Sequence, residues 1–188
     1  MKRIGILGGT FDPPHIGHLF IADEVRIRLR LQEVWFIPSY QPPHKREAKT
    51  SVNDRIQMIS RAINDHSAFK LNTIEINRLE KSYTFDTMKA LTEDFPHKKF
   101  YFIIGADMVE YLPHWRNIDA LMKLVTFVGV KRPGYQLQTS YPIIEMDIPY
   151  LDISSTLIRK RLRNKQSVRY LMPQSVYAYI KEKQLYEY

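Results

Sequence analysis

Apolar and polar positions alternate with two different periods along this chain, and each change of period marks an element. Ile4, Ile6 and Leu7 form a short apolar run that stops at Gly8-Gly9, the behaviour of a buried strand meeting a turn. From Ile16 to Leu31 the apolar residues Leu19, Phe20, Ala22, Val25 and Ile27 recur at helical spacing, with Asp23 among them, predicting a helix. Val34-Trp35-Phe36-Ile37 reads as a second buried strand closed by Pro38, and the proline- and charge-rich stretch 38–50 as an exposed loop. Ser51 is placed to cap a helix to about Asn64, with Ile56, Met58, Ile59 and Ile63 inward. Lys70 to Ile76 alternates like a strand, and Ser82 or Thr84 opens a helix to about Asp94. Strands are then predicted at Phe100–Ile104, Leu124–Val130 and Ile143–Ile148, with a short helix ending near Leu121. Ser154 or Ser155 caps a basic helix to about Arg163, and Pro173 opens a last helix to about Lys183.

Strands and helices therefore alternate. The fold class this predicts is α/β, a Rossmann-like doubly wound parallel sheet with helices on both faces and a small C-terminal helical part. No repeat or long linker divides the chain, so residues 1–188 are expected to form one domain. Sheets of this kind bind ligands beyond the carboxyl ends of their strands, where the strand order reverses.

Composition removes several classes of chemistry. No cysteine is present, which excludes a disulfide scaffold, thiolate zinc, iron–sulfur clusters and a cysteine nucleophile, and suits a reducing compartment. No apolar run reaches the roughly 18 residues that span a bilayer, and the run after Met1-Lys2-Arg3 is too short and glycine-broken for a signal peptide. The formal charge is +8, and residues 151–188 hold eight cations against three anions. Such a balance points to nucleic acid, an anionic membrane or small polyanions.

The first strand-to-helix turn narrows that choice. It reads Gly8-Gly9-Thr10-Phe11-Asp12-Pro13-Pro14-His15-Ile16-Gly17-His18. It is neither a Walker A loop nor GxGxxG. Gly8 and Gly9 nevertheless let backbone N–H groups approach an anion, and His15 and His18 share one face of a helix start, where the helix dipole also favours negative charge. Two imidazoles there would supply charge-assisted donors to one phosphate. Half of a metal site is the competing reading, disfavoured because the other histidines are scattered and no HExxH pattern occurs.

This turn resembles the signature of the nucleotidyltransferase superfamily. His15-Ile16-Gly17-His18 also matches the four-residue motif of class I aminoacyl-tRNA synthetases, but 188 residues leave no room for an anticodon-binding domain. The full form GGTFDPPHxGH is most similar to the bacterial nicotinate mononucleotide adenylyltransferases. Pro42-Pro43-His44-Lys45, Ser82-Tyr83-Thr84-Phe85-Asp86-Thr87, Gly105-Ala106-Asp107, Pro113-His114-Trp115-Arg116 and Lys131-Arg132-Pro133-Gly134 resemble further segments of that family. So does Ile153-Ser154-Ser155-Thr156-Leu157-Ile158-Arg159, the counterpart of the synthetases' lysine-containing loop.

The resemblance implies transfer of AMP from ATP to nicotinate mononucleotide, giving nicotinate adenine dinucleotide and pyrophosphate in NAD biosynthesis. It implies catalytic roles for His15, His18 and Arg159. ATP would be bound by Gly8, Gly9, Thr10, His18, Gly105, Asp107, Ile153, Ser154, Ser155 and Arg159. The mononucleotide would be bound by Thr10, His15, His44, Lys45, Ser82, Thr84 and Trp115, the last by stacking. Mg²⁺ is expected on the ATP phosphates rather than in a protein cage. A cytoplasmic enzyme, a homodimer, and no nucleic-acid or membrane partner complete the expectation. A phosphopantetheine or other small-substrate adenylyltransferase is the related alternative. A basic nucleic-acid-binding module is the alternative of another class, without an RGG tract, zinc-finger spacing or RNP-like motif to carry it.

Overall fold

The computed structural model describes residues 1–41 and 48–187. The strands are β1 (Lys2–Gly9), β2 (Glu33–Pro38), β3 (Phe69–Leu71), β4 (Lys98–Gly105), β5 (Thr126–Val130) and β6 (Ile143–Met146). All pair in parallel, in the order β3-β2-β1-β4-β5-β6. The order reverses between β1 and β4, so the crevice for a ligand opens where Gly8-Gly9 and Gly105 end neighbouring strands.

The helices are α1 (Ile16–Arg28), α2 (Val52–Ile63), α3 (Ile74–Arg78), α4 (Thr84–Asp94), α5 (Ala106–Tyr111), α6 (Ile118–Leu124), α7 (Ser155–Arg163) and α8 (Gln174–Glu182), with a 3₁₀ turn at Leu112–His114. They cover both faces of the sheet. Leu7, Tyr101 and Ile103 pack against Ala22 and Val25 of α1, Met58 and Ile59 of α2, Ile158 of α7 and Val176 of α8. Ile4, Ile6, Phe100, Phe102 and Ile104 face the other way, towards Met88 of α4, Val109 of α5 and Leu121 of α6. The period-two alternation of the strands thus builds two cores, one per face.

Two predicted elements differ. The strand expected at 70–76 survives only as Phe69–Leu71, and Ile74–Arg78 is helical. The Asn72 side chain accepts the Ile74 N–H at 3.0 Å, which starts a turn where the apolar alternation alone continues a strand. The strand expected from Leu124 begins only at Thr126, because α6 runs through Leu124.

The N-cap of α7 is Ser154, whose hydroxyl accepts the Leu157 N–H at 3.1 Å, and Ser51 caps α2 in the same way from Asp54. Neither Ser82 nor Thr84 caps α4. Ser82 Oγ instead accepts the Tyr40 N–H at 2.9 Å, and Pro173 lies just outside α8.

Three helices end in Schellman turns made without glycine. After α1, Leu31 N–H reaches the Arg26 carbonyl; after α7, Gln166 reaches Arg161; after α8, Leu185 reaches Ile180. Arg30, Lys165 and Gln184 take the left-handed position, which is why α1 stops at Arg28 and not Leu31. Among the described residues no helix is long and apolar enough to cross a membrane.

Candidate active site

Loop 10–15 joins β1 to α1, and only its last residue, His15, takes part in the helix, its carbonyl accepting the His18 and Leu19 N–H groups. Its backbone is held from outside. Arg55 Nη1 donates to the Thr10 carbonyl at 2.9 Å and to the Ser39 carbonyl at 2.8 Å. Arg159 Nη1 donates to the Asp12 carbonyl at 2.6 Å, and Ser155 Oγ to the Pro13 carbonyl at 2.8 Å. This loop is therefore bolted to α2 and α7, which lie far from it in sequence.

The two histidines stack on each other, centroids 3.7 Å apart and planes 27° from parallel. His18 Nδ1 accepts the backbone N–H of His15 at 3.2 Å. That bond fixes the tautomer of the neutral ring: the proton sits on Nε2, the donor a phosphate oxygen needs. Gly17 makes the stacking possible, since a Cβ there would stand 3.0 Å from His15 Nδ1.

His15 is only 5% exposed and its Nδ1 is buried without a partner. Burial lowers its pKa to about 4. His15 is neutral at pH 7 in the free protein, because a desolvated charge costs more than this site returns, so the charge in any bond from it to a phosphate is the anion's.

The sign of the pH dependence follows. Between pH 6.5 and about 4 the unfolded chain binds a proton on His15 that the folded chain refuses, so stability falls with pH across that window, by up to about 3 kcal/mol. Urea midpoints at pH 7.5 and 4.5 should separate less in His15→Asn than in wild type. An equal separation would remove His15 from the account.

Two cavities meet at this loop. The smaller, about 330 Å³, is bounded by His15, His18, Gly105, Asp107, Ile153, Ser154, Ser155, Arg132 and Tyr150. The N-terminus of α7 opens onto it, with backbone N–H groups and dipole favouring an anion. The larger, about 720 Å³, is bounded by Gly8, Gly9, Thr10, His18, Ser82, Thr84, Gly105, Asp107 and Trp115, and also by Glu75, Tyr83, Tyr111 and Arg116. His18, Gly105 and Asp107 line both. A Cβ at Gly105 would fall 2.6 Å from the Asp107 carboxylate and would push it out of its present position.

The structure thus brings together most residues the sequence singles out, in two groups. Arg159 lines neither cavity. Besides Asp12, its Nη2 reaches Thr156 Oγ1 at 3.2 Å and its Nε is buried without a partner. His44 and Lys45 lie outside the described residues.

Trp115 packs edge-on against Phe102 and Phe127, 6.0 and 5.8 Å between centroids, so it is part core and part cavity wall. Arg116, beside it, lies over the Tyr83 ring and pairs with Asp86 at 3.1 Å. These bonds tie the Trp115 segment to the start of α4.

Sequence reasoning missed Arg55, Asp12, Glu75 and Tyr186. Arg55 had a signal: a cation at an inward position of an amphipathic helix, taking the fully buried place expected for Ile56. Glu75 is 8% exposed and its carboxyl is pushed up by burial, against the pull of hydrogen bonds from Ser82 and Thr87. Nothing in the sequence distinguishes it from a surface glutamate.

The profile of the cytidylyltransferase-like family matches residues 6–161. A protein of Oceanobacillus iheyensis named a probable nicotinate-nucleotide adenylyltransferase is 56% identical over 99% of this chain and 97% of its own. One of Bacillus licheniformis with the same name is 52% identical over the full length of both. The fold matches that of Plasmodium falciparum nicotinic acid mononucleotide adenylyltransferase complexed with NaAD, TM-score 0.85 at 24% identity, covering 100% of this chain and 98% of that one. The chain therefore belongs to the cytidylyltransferase-like family and, within it, to the nicotinate-nucleotide adenylyltransferases, which are nucleotidyltransferases.

Proposed function

We infer that the protein transfers AMP from ATP to nicotinate mononucleotide, releasing pyrophosphate and forming nicotinate adenine dinucleotide in NAD biosynthesis. The observation that carries this reading is the pair of cavities sharing His18, Gly105 and Asp107, one facing the N-terminus of α7 and the other walled by Trp115. Two substrates can enter from two sides and meet at one phosphate-binding turn.

The attacking 5′-phosphate is already an anion, so no protein nucleophile or general base is required. The work is to hold two mutually repelling polyanions in line and to stabilise charge at the α-phosphate and the leaving pyrophosphate. In this reading His18 Nε2 donates at the α-phosphate, and His15 and Thr10 support the incoming phosphate. Ser154, Ser155 and the α7 N–H groups take the polyphosphate, Asp107 accepts from the ribose hydroxyls of ATP, and Ile153 lies against its adenosine. Arg159 adds positive charge one turn into α7 while fixing the loop. Gly8 and Gly9 let the backbone approach, and Ser82, Thr84 and Trp115 enclose the pyridine nucleotide, with His44 and Lys45 assigned to its phosphate.

Among the described residues no group of three His, Cys, Asp or Glu side chains could cage a metal. Mg²⁺ is assigned to the ATP complex, whose phosphate oxygens and water are the hard ligands this ion takes. A cytoplasmic location and a homodimer are part of the same proposal.

Pyrophosphate release, measured with ATP and either nicotinate or nicotinamide mononucleotide, tests the reading. Turnover is expected with the nicotinate form in preference, and absence of turnover with both overturns it. Trp115→Ala should raise KM for the mononucleotide about tenfold while leaving KM for ATP within about twofold, the result of losing one stacked ring. Equal rises in both would exclude stacking on Trp115.

A further inference from the structure

Behind the catalytic loop lies a buried cluster that touches neither cavity. Asp12 is 4% exposed, and its carboxylate accepts three bonds from distant segments. Lys49 N–H and Thr50 Oγ1 each donate at 2.7 Å, and the Tyr186 hydroxyl donates to Oδ1 at 2.5 Å, across 174 residues. We propose that Tyr186 is a positioning residue for nucleotidyl transfer, holding the loop that carries His15 and His18 through its hydrogen bond to Asp12. The proposal rests on the function inferred above.

The physical path is short. The Schellman turn after α8 places Gln184 in the left-handed region, and Tyr186 follows with a φ of 66°, so the chain bends twice to bring the phenol inward. Few residues adopt that conformation unless packing imposes it. Leu185 and Tyr186 are both buried in the core formed with α2 and α8. From Asp12 the coupling continues through its neighbour Phe11, itself left-handed at a φ of 52°. The Phe11 ring meets the edge of His18 at 4.9 Å and packs on Phe36 at 5.8 Å. Losing the bond from Tyr186 leaves Oδ1 of Asp12 held by Thr50 alone and cuts its tie to the chain after α8, and the neighbouring side chain able to shift with it is Phe11, the one that braces His18. Burial, with the Asp12 carboxylate beside it, raises the phenol far above its ordinary range, so it is a protonated donor at neutral pH.

A matched control exists in α8, seven residues earlier. Tyr179 Oη donates to Asp54 Oδ1 at 2.8 Å, joining α8 to α2 by the same chemistry without touching the loop. The experiment compares Tyr186→Phe and Tyr179→Phe with the wild type in the pyrophosphate-release assay, with circular dichroism confirming that each is folded at the assay temperature. Tyr186→Phe is expected to lower kcat about tenfold with both KM values within about twofold, the effect of one charge-assisted hydrogen bond lost at a distance from bound substrate.

Tyr179→Phe should lower the urea midpoint to a similar extent with kcat unchanged. Asp12→Asn should lower kcat at least as much as Tyr186→Phe, and the double variant no further than Asp12→Asn alone. A kcat within twofold of wild type in Tyr186→Phe, or losses that multiply in the double variant, overturns the proposal. Absence of turnover in the wild type instead overturns the inferred function, so the two failures are distinct.

Discussion

Replacing His18 by alanine should lower kcat by roughly 10²–10³, with KM for either substrate changed much less. The size follows from position. His18 lines both cavities, its Nδ1 is occupied by the His15 N–H, and its Nε2 carries the proton. A donor held in this way needs no reorganisation when charge develops on the α-phosphate, and that is where such a bond counts most. His15 cannot take over this bond, because its ring is buried and stacked against that of His18. His18→Asn keeps a donor of shorter reach and should recover part of the loss. Steady-state kinetics with both substrates varied decides this; an unchanged kcat in a folded His18→Ala would remove His18 from the transition state.

Arg55→Met should cost about 3 kcal/mol of folding stability, the largest expected effect of any change outside the cavities. Arg55 is 1% exposed and bridges the Thr10 and Ser39 carbonyls, which end neighbouring strands. Its charge faces Asp12, while burial lowers the guanidinium pKa. Two effects compete. Removing the cation relieves its desolvation and its unpartnered Nε, but strands the buried Ser39 carbonyl and the part-buried Thr10 carbonyl and takes the facing charge from the Asp12 carboxylate. The three donors that Asp12 keeps limit the second cost, so the net falls at the lower end of the 3–5 kcal/mol typical for breaking a buried pair. Urea unfolding measures it, and a loss under about 1 kcal/mol would show that desolvation dominates.

The turn assigned to phosphate binding was legible for a local reason. Gly-Gly, two prolines and two histidines fall within eleven residues, and a strand before and a helix after them are enough to place them at the end of a parallel sheet. Ser154 and Ser155 were legible in the same way, as hydroxyls before a basic helix. The basic run that follows was legible as charge only. Arg159 bends back to the Asp12 carbonyl and Arg163 to the Arg159 carbonyl, while Lys160 points to solvent.

Other features left no local trace. The Schellman turns use Arg30, Lys165 and Gln184 where a sequence reader looks for glycine, so the end of α1 was placed three residues late. Asn72 breaks a strand through one side-chain bond that apolar periodicity does not register.

By itself, then, the sequence determined the alternation of strands and helices, the glycine- and histidine-rich turn after β1 and the serine-capped start of α7, because each depends on neighbours a few residues apart. Only the tertiary structure decided that two cavities share His18, that burial holds His15 neutral, and that Arg55, Asp12 and Tyr186 brace the loop from behind. Those outcomes depend on desolvation and on contacts between residues up to 174 positions apart, which become fixed only when both faces of the sheet are packed.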